Sequence, residues 1–391
     1  MAAAGPLVNL HVMASSLRIA RVAGIDLKVH WSFALVPVMG AVQWGGLGTR
    51  GAVFGAVLML LIFGFVALHE LGHSLVAKAF GIPVKDITLM PLGGVALLGK
   101  RPKTPLQELL IALAGPAVNV VLAVGLGAVA LELYGPEPLW NALRAARLEQ
   151  PTDETLWAMM VSANAMLALF NMVPALPMDG GRVLRAFLAW FVGYEKATKW
   201  SATLGRFLAL GLGAFGLATG NPVLPFIAVF IFFAAGAEAR DASVTRVLSG
   251  IRAADAVNPY APRFLPGTTL GEAMQALIFT PYLAFGVEHF GRLVGVVTRE
   301  ALMRGMNEEG PHGYVAGVME RRVPVVDGRE PLEAAREKMH EAGVPFVAVL
   351  EGDLFLGLVT EVELAQQAAL VDQLRRSRAA GGARWSVRSE R

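Results

Sequence analysis

Long apolar stretches between residues 31 and 238 constrain this chain more than any other feature. Spanning a bilayer as a helix takes about 20 apolar residues. Hydrophobic residues make up 55% of the 391 residues and charged residues only 17%, against about 25% charged residues in an ordinary soluble domain. This composition excludes a disordered chain, a collagen-like fibre and an ordinary cytosolic enzyme. It predicts an α-helical polytopic membrane protein.

Six apolar segments are expected to cross the membrane. They lie at about 31–48, 51–79, 106–134, 156–193, 200–220 and 222–238, and the fourth is expected to be broken between Pro174 and Asp179. Segments rich in Lys and Arg stay in the cytoplasm, and such segments follow the second and fourth predicted spans, whereas residues 135–155 carry mixed charge. We therefore expect both termini on the cytoplasmic side of the inner membrane and residues 135–155 outside.

The charged residues are unevenly distributed along the chain. Residues 1–250 hold 31 of the 65 charged residues, and residues 251–391 hold the other 34. This predicts a membrane domain at 1–250 and a soluble domain at 251–372, followed by a basic, disordered tail at 373–391 that is either solvated or in contact with anionic lipid. The net charge of +3 is too small to indicate a nucleic-acid partner.

The soluble part contains an internal repeat. The segment Gly295–Leu302 recurs in similar form as Gly357–Leu364. Each copy has the pattern helix, strand, strand, helix. Two copies with a period of roughly 60 residues predict a pseudo-symmetric α/β pair and not a solenoid.

His69-Glu70-Leu71-Gly72-His73 is an H-E-x-x-H motif. Residues four apart share one face of a helix, so both imidazoles could hold one Zn²⁺ while Glu70 serves as general base. The alternative is a pair of interfacial histidines near the end of a membrane helix. Cysteine is absent, which leaves His and carboxylates as the metal ligands.

Catalytic zinc usually has three protein ligands. The candidates for the third ligand are His30, Glu108 and Asp179. We favour Asp179, because two prolines before it and two glycines after it open the backbone inside an apolar region. Such backbone is tolerated at membrane depth only where it is buried in protein or lines a wet cavity. Asp179 could instead cap a helix, while His30 fits an interfacial position and Glu108 the first turn of a helix.

Residues 87–99 are too short to span a membrane and contain Pro91 and the pair Gly93-Gly94. The segment is either a strand-like or re-entrant element or an ordinary cytoplasmic loop. We favour the strand, because an exposed strand edge can hold a substrate extended by main-chain pairing.

Three motifs in order, His69–His73, Ala114–Asn119 and Asn171–Gly181, resemble the site-2 proteases, which are intramembrane zinc metalloproteases. The resemblance implies one zinc ion per chain with His69, His73 and Asp179 as ligands, and Glu70 as the base. It also implies a transmembrane protein substrate. The substrate-contacting residues would be Asn171, Pro174 and Pro177, together with Gly93 and Gly94 on the expected strand. Asn119 lies near the site, either with a role in it or as a polar contact between helices.

The repeat at 251–372 resembles a tandem pair of cystathionine-β-synthase (CBS) domains. In such pairs a Thr/Ser-x-x-Asp motif holds the ribose of adenosine. The first copy has Ala301 at the acidic position, and the second keeps an acid in Thr360–Glu363. The resemblance therefore implies at most one adenine-nucleotide site, at Thr360 and Glu363; a structural module or a homodimer contact is the alternative.

Together these features predict an intramembrane zinc metalloprotease that cleaves a peptide bond in or near a transmembrane segment of its substrate. The alternative from another class is a membrane transporter or channel gated by its CBS pair, since broken helices also mark transport sites. Glu70 favours the protease, because a transported cation does not need a general base beside its ligands.

Overall fold

The computed structural model describes residues 16–91, 93–98, 102–137, 140, 150–278, 280 and 282–380. The chain divides into two compact units, residues 1–242 and residues 243–391. The first unit is mainly helical with one small sheet, and the second is α/β. The structure thus has the predicted fold class.

The described part of the first unit starts with a β-hairpin and continues with helices on either side of a second hairpin. Its elements are β1 (Ser16–Val22), β2 (Ile25–His30), α1 (Leu35–Trp44), α2 (Gly48–Ala79), β3 (Val84–Met90), β4 (Gly93–Leu98), α3 (Pro105–Tyr134), α4 (Asp153–Asn171), α5 (Asp179–Val192), α6 (Tyr194–Ala218) and α7 (Val223–Ser249), which ends beyond the unit. Threonine side chains cap two of these helices: Thr104 accepts from the Gln107 N–H before α3, and Thr152 from the Thr155 N–H before α4. Such caps satisfy N–H groups that a helix leaves unpaired.

Four of the described helical stretches are long and apolar enough to cross a membrane: Trp31–Ala79, Pro105–Tyr134, Tyr194–Ala218 and Val223–Ser249. The predicted count of six spans is therefore not confirmed. In the segment predicted at 31–48, α1 has only 10 residues, about 15 Å at 1.5 Å per residue, whereas the hydrocarbon core is about 30 Å thick. The segment predicted at 156–193 is divided into α4 and α5 by a non-helical stretch, which confirms the break expected between Pro174 and Asp179.

The sheet of the first unit has the order β1-β2-β3-β4. β2 and β3 are parallel, and β3 and β4 form an antiparallel hairpin in which Met90 faces Gly93. This confirms the strand-like interpretation of residues 87–99 within the residues described. In this order β4 is an edge strand, and its second edge is not paired within the sheet.

The second unit contains two copies of one arrangement. Its elements are β5 (Arg263–Phe264), α8 (Leu270–Ile278), β6 (Ala284–His289), β7 (Arg292–Thr298), α9 (Arg299–Glu309), α10 (Val315–Val318), β8 (Val325–Asp327), α11 (Leu332–Ala342), β9 (Phe346–Glu351), β10 (Leu354–Thr360) and α12 (Glu361–Ala380). The strands form two three-stranded sheets, β5-β6-β7 and β10-β9-β8. One constant offset relates both ends of β6 to those of β9, and both ends of β7 to those of β10, which confirms the repeat.

Helix α12 continues to Ala380, so residues 373–380, expected in the disordered tail, are helical. The stretch is rich in Ala, Gln, Leu and Arg, which favour helix, and the first glycines are Gly381 and Gly382. The rest of the predicted tail, 381–391, lies outside the described residues.

Candidate active site

Helix α2 presents His69, Glu70 and His73 to the interior of the first unit. Their exposed fractions are 6%, 8% and 6%. The two imidazoles share one helix face, and their ring centroids lie 4.7 Å apart. Polar groups buried in this way are stable only with specific partners.

Asp179, the first residue of α5, meets both histidines. Its Oδ2 lies 3.1 Å from Nε2 of His69 and 3.1 Å from Nε2 of His73, and the two Nε2 atoms are 3.1 Å apart. Across the part of the chain that the structure describes, this is the one group of three His, Asp or Glu side chains with converging ligand atoms. The cap of α5 is Met178, so Asp179 is not the capping residue.

The two other candidates for a third ligand have different partners. Nδ1 of His30 lies 2.7 Å from Oγ of Ser32. Glu108 lies in the first turn of α3, as predicted, and is 2% exposed. It accepts a hydrogen bond from Nε of Arg185 at 2.7 Å, and Arg185 also contacts Glu238 at 3.1 Å. No buried role was expected for Arg185, although an arginine in an apolar segment signals a buried partner.

The atoms of His69, His73 and Asp179 that converge suit a zinc ion as ligands. Nδ1 of His73 lies 2.6 Å from the carbonyl oxygen of Ile111. That oxygen can only accept, so Nδ1 carries the proton and Nε2 presents a lone pair; the Gly115 N–H, 3.3 Å from Nδ1, is the weaker contact. A carboxylate is also an acceptor, so the converging atoms repel one another unless a cation lies between them. Their separations approach the roughly 3.3 Å expected between ligands of tetrahedral zinc.

Glu70 lies beside this group with a free oxygen. Its Oε2 is buried and has no hydrogen-bond partner among the described residues. Gly94 at the start of β4 packs against the same side chain, since a Cβ there would lie 2.6 Å from Cγ of Glu70. A buried carboxylate oxygen without a partner is available to accept a proton from a reacting molecule.

Gly115 on α3 closes the other side of the imidazole pair. A Cβ at this position would lie 2.7 Å from Nε2 of His69 and closer still to Nε2 of His73. Gly115 lies inside the motif Ala114–Asn119, but its sequence context alone indicates no role for it. Its role becomes visible only when α3 is seen packed against α2.

Asn119, also on α3, contacts the site and the next helix at once. Its Oδ1 lies 2.5 Å from Nδ1 of His69, and its Nδ2 donates to Oδ1 of Asn164 on α4 at 2.9 Å. Asn119 therefore contacts His69 and a neighbouring helix at once, and a role in the site stays a prediction. No role was expected for Asn164, although an amide inside an apolar helix is a signal of a polar contact between helices.

The residues expected to contact substrate lie on the stretch that leads to Asp179 and at the start of β4. Asn171 ends α4 and is half-buried, Pro174 is exposed, and Pro177 is half-buried two residues before Asp179. Gly93 and Gly94 begin the edge strand β4. Their contact with substrate stays a prediction.

In the second unit, the residues expected at a nucleotide site contact each other. Oε2 of Glu363 accepts from the backbone N–H of Thr360 at 2.6 Å and from its hydroxyl at 2.9 Å. In the first copy, Oγ1 of Thr298 accepts from the Ala301 N–H at 3.1 Å. These hydrogen bonds satisfy backbone N–H groups at the N-termini of α12 and α9, as in a capping box. A nucleotide-binding role for Thr360 and Glu363 stays a prediction.

Comparisons with known proteins match both units. The family model for peptidase family M50 matches residues 57–212, and the CBS domain model matches residues 315–369. A zinc metalloprotease of Methanocaldococcus jannaschii is 32% identical over 362 residues, which cover 91% of this chain and 97% of the relative. Rip3 of Mycobacterium tuberculosis, named as a candidate zinc metalloprotease, is 31% identical over 385 residues, covering 90% of this chain and 93% of Rip3.

A solved structure is also similar. The site-2 protease of Methanocaldococcus jannaschii is 37% identical and covers 57% of this chain and 95% of its own, with a TM-score of 0.44. The zinc metalloprotease of Methanocaldococcus jannaschii is 32% identical over 97% of its own length. This similarity is sufficient to assign the chain to a family. The chain belongs to peptidase family M50, the zinc metalloproteases of the site-2 type, and carries a CBS domain.

Proposed function

We propose that this protein hydrolyses a peptide bond in or near a transmembrane segment of a membrane-bound substrate, such as a membrane-tethered regulator. One zinc ion per chain would be held by His69, His73 and Asp179, with Glu70 as general base. The observation that carries the proposal is the convergence of three lone-pair atoms, each 3.1 Å from the others, beside the unpartnered Oε2 of Glu70.

The roles of the side chains follow from their contacts. When bound, zinc acts as a Lewis acid that polarises a carbonyl and makes water a stronger nucleophile at neutral pH. Glu70 takes a proton from the attacking water and passes it to the leaving amine. The carbonyl oxygen of Ile111 orients the imidazole of His73 through Nδ1 of that ring. The side-chain oxygen of Asn119 orients the imidazole of His69 in the same way. Such hydrogen bonds are typical of histidine ligands.

The edge strand β4 supports a way of binding substrate. A helix hides its peptide bonds, so a substrate must be held extended before it is cleaved. A substrate segment that pairs with β4 would lie next to Glu70, because Gly94 already contacts that side chain. Main-chain pairing of this kind gives affinity without requiring one sequence. Asn171, Pro174 and Pro177, on the stretch leading to Asp179, would contact the same segment.

We also propose an orientation and a role for the second unit. Lys78 in the last turn of α2, together with the basic residues around 85–103, favours an active site toward the cytoplasmic side of the inner membrane. Residues 251–372 would then be cytoplasmic. The CBS pair would bind an adenine nucleotide at Thr360 and Glu363 and thereby regulate cleavage, with a homodimer contact as its alternative use. Membership in peptidase family M50 favours this protease over the transporter or channel alternative.

Metal analysis of the purified full-length chain tests the zinc site. We expect one zinc per chain in the natural protein, reduced zinc in Asp179→Ala and almost none in His73→Ala. His30→Ala is the matched control, because His30 contacts Ser32 and not the cluster, and it should retain full zinc. Full zinc content in both His73→Ala and Asp179→Ala would refute the assignment.

A further inference from the structure

Hydrogen bonds between two buried side-chain amides connect helix α4 to His69. Nδ2 of Asn164 donates to the carbonyl oxygen of Met160 at 2.9 Å, and Oδ1 of Asn164 accepts from Nδ2 of Asn119 at 2.9 Å. Oδ1 of Asn119 then lies 2.5 Å from Nδ1 of His69. Both asparagines are 0% exposed, so bulk water does not compete for these bonds.

The direction of these hydrogen bonds is fixed at the Met160 end. The carbonyl oxygen of Met160 can only accept, so Asn164 must turn its NH₂ group toward it and its oxygen toward Asn119. Asn119 must in turn offer its NH₂ group to Asn164 and its oxygen to His69. Reversing either amide would bring two acceptors or two donors together in a buried place, which is costly.

The consequence reaches the ligand atom of His69. Because Asn119 presents an oxygen, Nδ1 of His69 must carry the proton. In the neutral imidazole Nε2 is then left with a lone pair, and it points at Asp179 and His73. The helix α4, which supplies no residue of the converging group, thus determines which nitrogen of His69 is free.

We propose that Asn164, acting through Asn119, is a positioning residue that holds His69 in the tautomer and orientation needed to bind zinc. This inference rests on the zinc site proposed above. It also predicts an asymmetry between the two histidines. His73 is oriented by the backbone carbonyl of Ile111, whereas His69 depends on two side chains from two further helices.

Zinc affinity of the full-length protein in detergent, measured by competition with a chromogenic chelator, tests the proposal. Asn119→Ala should weaken zinc binding by about 10- to 100-fold, the usual cost of losing such a partner. Asn164→Ala should weaken binding by a smaller factor in the same direction. Ser162→Ala is the matched control on α4, because Oγ of Ser162 is buried without a hydrogen-bond partner among the described residues.

The double variant separates positioning from simple helix packing. If Asn164 acts through Asn119, adding Asn164→Ala to Asn119→Ala should change affinity by less than about twofold, because coupled residues are not additive. Effects that multiply in the double variant would overturn the proposal. The visible absorption of the cobalt-substituted protein should also shift in Asn164→Ala and stay unchanged in Ser162→Ala.

Two further outcomes are decisive. If Asn164→Ala is not recovered folded, Asn164→Leu removes the same amide with a similar side-chain volume, and zinc affinity equal to that of the control would again overturn the proposal. If His73→Ala loses zinc while both Asn164 variants bind it like Ser162→Ala, only this inference fails. If His73→Ala keeps its zinc, the proposed zinc site fails, and this inference with it.

Discussion

Gly115 and His69 are packed so closely that a Cβ atom at position 115 would lie 2.7 Å from Nε2 of His69. This contact joins α3 to α2 at the point where the three ligand atoms converge. A glycine is therefore required here for lack of space and not for backbone conformation.

The first prediction is that Gly115→Ala lowers zinc affinity by about tenfold or more, because overpacking a buried contact typically costs about 1–3 kcal/mol. Gly127→Ala is the matched control on the same helix, where the new Cβ would meet only Val161, at 3.8 Å. Zinc affinity and the thermal midpoint should be measured for both variants. Equal zinc affinity in the two would show that α3 is not packed against the site as described.

The second prediction concerns Glu70. Glu70→Gln keeps the size of the side chain but removes its ability to take a proton, so cleavage should fall by about 10²- to 10⁴-fold. Zinc content should be unchanged. A quenched fluorescent peptide carrying a transmembrane sequence, in detergent micelles, provides the activity readout. Loss of zinc from Glu70→Gln would instead make Glu70 a ligand.

The third prediction concerns stability. Arg185→Leu leaves the buried carboxylate of Glu108 without its charged partner, with only the 3.4 Å contact from the hydroxyl of Tyr194, which should destabilise the first unit by about 3–5 kcal/mol. Lys199→Ala breaks the pair with Glu195, in which the lysine side chain is 55% exposed, and should cost less than about 1 kcal/mol. Unfolding in a mild detergent measures both. Similar losses in the two variants would contradict a structural role for Arg185.

The fourth prediction concerns the second unit. Calorimetry on the full-length protein with ATP, ADP and AMP should show weak binding that Thr360→Ala reduces, because the hydroxyl of Thr360 and the acid of Glu363 lie together. Thr298→Ala should reduce binding less, since Ala301 offers no side-chain acceptor. Absence of heat with all three nucleotides, in a protein that is dimeric, would support the dimer alternative.

The fifth prediction is topological. Because the chain has no native cysteine, single introduced cysteines can be labelled from outside intact cells with an impermeant reagent. A cysteine at position 312 should not react, and one at position 150 should. Labelling at 312 from outside would overturn the cytoplasmic placement of residues 251–372.

The local parts of this protein could be predicted from its sequence. His69 and His73 are four residues apart, and any helix places such residues on one face. The offset between the two copies of the repeat likewise held at both ends of two pairs of strands, because copies of one sequence pattern have the same local preferences. The strand at Gly93–Leu98 was also predicted, because the segment is too short to span a membrane and is interrupted by proline and glycine.

Most contacts between distant residues could be seen only in the folded chain. Asp179, 106 positions after His73, was expected beside the histidines from the open backbone around it and from the family resemblance. Nothing in the sequence linked Arg185 to Glu108, 77 positions earlier. Asn164 entered the site only through the packing of α4 on α3. The predicted count of six spans was not confirmed, since four of the described helical stretches are long and apolar enough to cross a membrane. Apolar length and helical period are properties of neighbouring residues, whereas these contacts depend on how whole helices pack.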